Sequence, residues 1–72
     1  MKRLLLFSLE RERPIRLMWQ EEDGSFSQSN AQVTALSEDT VTFIRQRPRR
    51  TVTLPIERLL SADFKKGDDG TV

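Results

Sequence analysis

Seventy-two residues without a cysteine or a histidine carry 12 lysines and arginines against 11 aspartates and glutamates, so the chain is a single small domain with a formal net charge of only +1. A chain this short buries only about 60% of the surface that its unfolded form exposes, which leaves little room for a catalytic cleft. The missing residue types exclude disulfide frameworks, thiol nucleophiles, imidazole bases and nearly all common transition-metal sites.

The opening "MKRLLLFSLERERP" imitates a secretion signal, with Lys2 and Arg3 ahead of an apolar run. That run, Leu4 to Leu9, is interrupted by Ser8 and ends in charge, far short of the roughly 18 apolar residues that a membrane-spanning helix needs. A cytoplasmic protein is expected. Residues 3–12 suit a short helix with Leu5 and Leu9 one turn apart, and Pro14 stops it. "PIRLMWQ" then alternates Ile15, Leu17 and Trp19 against Arg16, Met18 and Gln20, the pattern of a strand with one apolar face.

Asp23-Gly24 marks a hairpin turn. In the returning strand, "FSQSNAQVTAL", Phe26 is out of phase with Ala31, Val33 and Ala35, which predicts a bulge or bend near Ser29-Asn30. Ser37 to Asp39 form a second turn before "TVTFIRQ", whose Val41 and Phe43 share a face. With Pro48 and Arg49 as the central residues of a third turn, Phe43 falls opposite Leu54 and Arg45 opposite Val52. Pro55 permits a one-turn helix, and Leu59 to Phe64 can close against the first strand.

These elements predict a mainly β protein, a short N-terminal helix followed by a five-stranded antiparallel SH3-like or Sm-like small barrel, with an open sheet as the alternative. The domain is expected to span residues 1–66, with residues 67–72 as a flexible tail. One core is expected to hold Leu5, Leu9, Ile15, Leu17 and Trp19 together with Val33, Val41, Phe43, Val52, Leu54 and Leu59.

"LLLFSLERERPIRLMWQEEDG" resembles the opening of the WYL domain, in which a helix runs into a strand of the form R-x-V-x-I-x-Y and an acidic-glycine turn. "RTVTLPIERLLSADF" is similar to that domain's closing strand, and equally to the C-terminal half of the YolD-like family. The Trp-Tyr-Leu tripeptide, which would fall around Thr40 to Phe43, is absent. The resemblance implies an Sm-like barrel of a class used for nucleic-acid, nucleotide or partner binding.

The feature with most chemical content is "IRQRPRR". Arg45, Arg47, Arg49 and Arg50, with Arg16 added from the first strand, could contact phosphates bidentately. The competing reading is a solvated hairpin tip. Trp19, Phe7, Phe43 and Phe64 fall on apolar faces and leave only Phe26 exposed, a poor supply of stacking surfaces. Glu21 to Asp23 and "GDDG", Gly67 to Gly70, lack the ligand spacing of a calcium loop, and "SQSN", Ser27 to Asn30, has no partner base. No metal, no cofactor and no enzymatic activity are expected. The expectation is a small regulatory module that binds nucleic acid or a nucleotide through the basic hairpin; the alternative is a protein-interaction or self-assembly module. A homo-oligomer is favoured over a monomer, because an incompletely closed barrel leaves strand edges that a second copy can cover.

Overall fold

The computed structural model describes residues 1–64; the expected tail at residues 67–72 lies outside them. Helix α1, Lys2–Arg11, buries Leu5 and Ser8 and ends at Glu12, whose φ of 54° is left-handed and whose N–H donates to the Ser8 carbonyl. Pro14 then sets up strand β1, Ile15–Gln20. Four more strands follow: β2 Phe26–Leu36, β3 Thr40–Arg45, β4 Arg50–Pro55 and, after a single 3-10 turn at Ile56–Arg58, β5 Leu59–Phe64. None of the described helices is long and apolar enough to cross a membrane.

The turns form where their residues dictate. Gly24 takes a φ of +90°, open to glycine at no steric cost. Asp23 Oδ1 accepts from both the N–H and the hydroxyl of Ser25, and these two bonds lower the Asp23 pKa below its ordinary value, the hydroxyl contributing most. At the second turn Ser37 N–H donates to the Thr40 carbonyl, and Thr40 N–H donates to Ser37 Oγ.

The five strands make one antiparallel sheet in the order β4-β3-β2-β1-β5. Strand β2 is its hinge, because residues Phe26 to Ala31 pair with β1 and residues Ala31 to Leu36 pair with β3. Trp19 lies opposite Ser27 and Phe43 opposite Val33, which in a flat sheet would separate them by about 20 Å along β2, at about 3.4 Å per residue. Their ring centroids are 5.0 Å apart, inclined at 62°. The sheet therefore coils sharply over one core. Ile15, Leu17 and Trp19 of β1 meet Ala31 and Val33 of β2, Val41 and Phe43 of β3, Leu54, Leu59 and, from the helix, Leu5.

Four expectations need correction. The first concerns closure: the sheet does not close into a barrel, because β4 and β5 are its edges. After the 3-10 turn β5 pairs with β1, as expected; what the sheet lacks is a pairing of β5 with β4, which closure would need.

The second concerns the irregularity in β2. The ladder runs unbroken through Ser29 and Asn30 and slips at Thr34, between Val33 and Ala35. The slip exposes Ala35 and half-buries Leu36. It falls where β1 has ended and α1 has replaced it: the Val33 N–H, left without a strand partner, donates to Ser8 Oγ at 2.9 Å.

The third concerns the β3–β4 register. Phe43 lies opposite Val52 and Arg45 opposite Arg50, because the connection takes up Gln46 to Arg49 and Arg47 adopts a φ of 54°. The displacement from the expected pairing is even, so the strands keep their inward faces. The fourth concerns burial: Leu9 and Val52 are only half-buried, and Phe64 is 43% exposed with its ring set edge-on to Phe7. Phe26 is 66% exposed, in agreement with its phase.

Candidate functional site

The end of β3 carries the arginine tract past the underside of Trp19. Arg45 has the parity of Val41 and Phe43 and so points inward, but at the rim, where its guanidinium carbon lies 5.5 Å from the Trp19 ring centroid. Attraction of a cation to an indole face at this distance is worth about 0.5–1 kcal/mol when exposed and about 2 when desolvated. Arg45 is half-buried, and its Nε is buried without a hydrogen-bond partner among the described residues. Trp19 is held from the other side: its Nε1 donates to Glu21 Oε2, which also accepts from Ser27 Oγ.

Arg45 and Arg47 line a depression of about 460 Å³ with Gln28, Ser29, Asn30 and Gln46. The tip is fastened to β2 at its floor. Gln46 N–H donates to the Asn30 carbonyl at 3.2 Å, and Ser29 Oγ donates to the Gln46 carbonyl at 3.0 Å. A second depression, of about 320 Å³, continues across β2 to Arg16 and shares Gln28, Ser29 and Asn30 with the first. There the Gln28 amide, oriented with its oxygen towards β1, accepts from the Arg16 guanidinium. The two depressions together make a groove with a guanidinium at each end and amides and a hydroxyl between.

Of the five arginines singled out from the sequence, Arg16, Arg45 and Arg47 are brought to this groove. Arg49 and Arg50 do not line it; both are exposed, Arg49 in the turn and Arg50 at the start of β4. Sequence reasoning missed the other wall, Gln28 to Asn30, although the run "SQSN" already stood out for its hydrogen-bonding groups. What hid it is distance along the chain, since only the β2–β3 ladder, with Ala31 opposite Arg45, sets residues 28–30 beside residues 45–47.

The acidic residues have structural employment instead. Glu21 braces Trp19, and Asp23 closes its own turn. Among the described residues no cluster of metal-ligating side chains is present, and "GDDG" lies outside them. No protein family, curated protein or solved structure matches the chain.

Proposed function

We propose that the protein is a small regulatory binding module of the cytoplasm that takes nucleic acid or a nucleotide in the groove beside the β3–β4 tip. Arg45 and Arg47 are its phosphate contacts, Arg16 stands at the far end, and Arg49 and Arg50 add to the positive field of the tip. The observation that carries the reading is Arg45: a half-buried guanidinium on an indole face, with an Nε unpartnered among the described residues, beside a depression. Holding a cation partly out of water is costly unless an anion or hydrogen-bond acceptor joins it. A merely solvated hairpin tip would leave that nitrogen in water. The element order, with its 3-10 turn before the last strand, is that of SH3-like and Sm-like barrels, and together with the resemblance to the WYL and YolD-like families it favours a binding role.

The test is a titration of labelled oligonucleotides at several salt concentrations, against the native chain and the double variant Arg45→Gln, Arg47→Gln. The slope of log affinity on log salt should flatten by about 0.7–0.9 for each phosphate that the variant no longer neutralises. Absence of binding at low salt, or a slope that the double variant leaves unchanged, would refute the proposal.

The open sheet favours one other reading, an interaction or self-assembly module. Among the described residues the outer edges of β4 and β5 have no strand partner, and Leu60 and Phe64 on β5 are 44% and 43% exposed. Edges of this kind are covered by adding a strand from a partner or a second copy. On that reading the double variant loses a protein partner or its own assembly, and no oligonucleotide binds.

A further inference from the structure

The groove has a backbone wall. Successive residues of a strand direct their N–H and C=O groups to opposite sides. The Asn30 carbonyl accepts from Gln46, on the β3 side, whereas the Val33 N–H points to the side that β1 and then α1 occupy. Phe26 and Gln28 share the parity of Asn30, so their N–H and C=O groups also face the β3 side. No β3 residue reaches them: the β2–β3 ladder begins at Ala31 opposite Arg45, and the chain turns away at Arg47 with its φ of 54°. Among the described residues the N-terminal half of β2 thus has a free edge, and Gln28, on that edge, lines the depression with Arg45 and Arg47.

We infer that this edge reads an unpaired nucleobase, making single-stranded nucleic acid the ligand of the groove. The inference rests on the binding role proposed above and names its ligand class. Length decides between a base and an added peptide strand. The free edge runs from Phe26 to Gln28, about 7 Å at about 3.4 Å per residue, too short for the usual strand of five or six residues. A nucleobase edge, by contrast, is a short row of donors and acceptors, which the adjacent N–H and C=O of one residue can match. In a duplex those base groups are already paired, whereas unpaired bases offer them freely. Arg45 and Arg47 stand where the attached phosphate would lie. Phe26 extends the site: it is 66% exposed and shares the solvent face of β2 with Gln28 and Asn30. One nucleotide on from a base held at Gln28, it offers a ring for stacking.

The test compares a labelled single strand, the duplex of the same sequence and the corresponding nucleoside monophosphate, all at one salt concentration. The single strand should bind at least about tenfold tighter than the duplex. Gln28→Pro removes the edge N–H, which the β1 ladder does not use, and should bind the single strand about tenfold more weakly than Gln28→Ala, which keeps that N–H; a factor of ten is the size of one lost hydrogen bond. Phe26→Ala should weaken the single strand and leave the monophosphate unchanged. Circular dichroism checks that each variant folds, and if Gln28→Pro does not, the strand preference and Phe26→Ala decide. Equal affinity for single strand and duplex would overturn the inference while leaving the phosphate-binding role intact. A monophosphate bound as tightly as the strand would overturn it in favour of a free nucleotide. Failure of every nucleic-acid probe, with an acidic peptide bound instead, would remove both the inference and the role beneath it.

Discussion

Replacing Ser8 by alanine tests the architecture at its least obvious joint. The hydroxyl is fully buried. It accepts from the Val33 N–H at 2.9 Å and donates to the Arg13 carbonyl at 2.6 Å, so one atom ties the helix to the bulged half of β2 and to the chain's exit towards β1. Alanine fits the space and keeps the helix, since its helix propensity exceeds that of serine. It supplies neither partner. A buried donor left unsatisfied costs about 1–3 kcal/mol, and the missing bond to Arg13 about 0.5–1.5 more, so the variant should lose on the order of 2–4 kcal/mol. For 72 residues the whole stability is roughly 4–11 kcal/mol at about 0.05–0.15 per residue.

The midpoint of thermal unfolding followed by circular dichroism should then fall by roughly 8–32 °C, at about 4–8 °C per kcal/mol in this size range. Urea titration should show a lower midpoint with an unchanged slope, since the surface exposed on unfolding stays the same. Amide exchange at Val33 should accelerate more than at Phe43, whose strand keeps its partners on both sides. Leu6→Ala, on the exposed face of the same helix, is the control and should cost less than half as much. A loss below about 0.5 kcal/mol for Ser8→Ala, within the range of ordinary surface changes, would show that the Val33 N–H finds another acceptor and that α1 does not pin the bend.

Trp19→Ala should cost about 3–5 kcal/mol, enough to unfold much of the population, as for other large buried aromatics; calorimetry showing a near-native transition would contradict its place in the core. Arg45→Gln should cost about 0.5–2 kcal/mol because glutamine brings no cation to the indole face, whereas Arg47→Gln should stay within about 0.5, and equal effects in chemical denaturation would contradict the distinction. Asp23 carries a pKa below its ordinary 3.8; its charge therefore stabilises the fold above that value, and the contribution is lost as pH falls through the depressed one. Asp23→Asn should accordingly flatten the acid limb of stability against pH, and superimposable limbs would exclude the turn as its source. Light scattering across a wide concentration range should give a mass above the 8.4 kDa of one chain if the free edges assemble, and a constant 8.4 kDa would end that reading.

The elements were legible because local chemistry sets them. Pro14, the Asp23-Gly24 pair and the Ser37–Asp39 turn each punctuate the chain where the structure does, and the alternation of Ile15, Leu17 and Trp19 gave the buried face of β1 without ambiguity. The misplacements have a common cause. The β2 slip at Thr34 follows from the replacement of β1 by α1 as a neighbour, which small alternating residues such as Ala31 and Ala35 do not signal. The β3–β4 register depends on Arg47 taking a left-handed conformation, which nothing in "RQRPRR" marks as glycine would. Ser8 looked like an interruption of an apolar run because its partners lie five and 25 residues away. Half of the groove was visible as an arginine tract; the wall facing it was not, for the same reason.

Net charge is a poor guide to a site of this construction. At physiological salt the field of an exposed charge fades within about 8–10 Å, so acidic residues farther than that from the groove contribute little to the potential inside it. What matters there is how dry and how close the local cations are, and both are properties of the fold. Arg45 is half-buried, and Trp19 lies beneath it. Trp19 lies there because β2 coils, and β2 coils where Ser8 takes over from β1. The helix, remote from the tip in sequence, is thereby a determinant of the groove. A binding defect caused by Ser8→Ala should track the loss of folded protein read by circular dichroism, the folded remainder keeping its salt dependence, whereas loss of a ligand contact would flatten that dependence in fully folded protein.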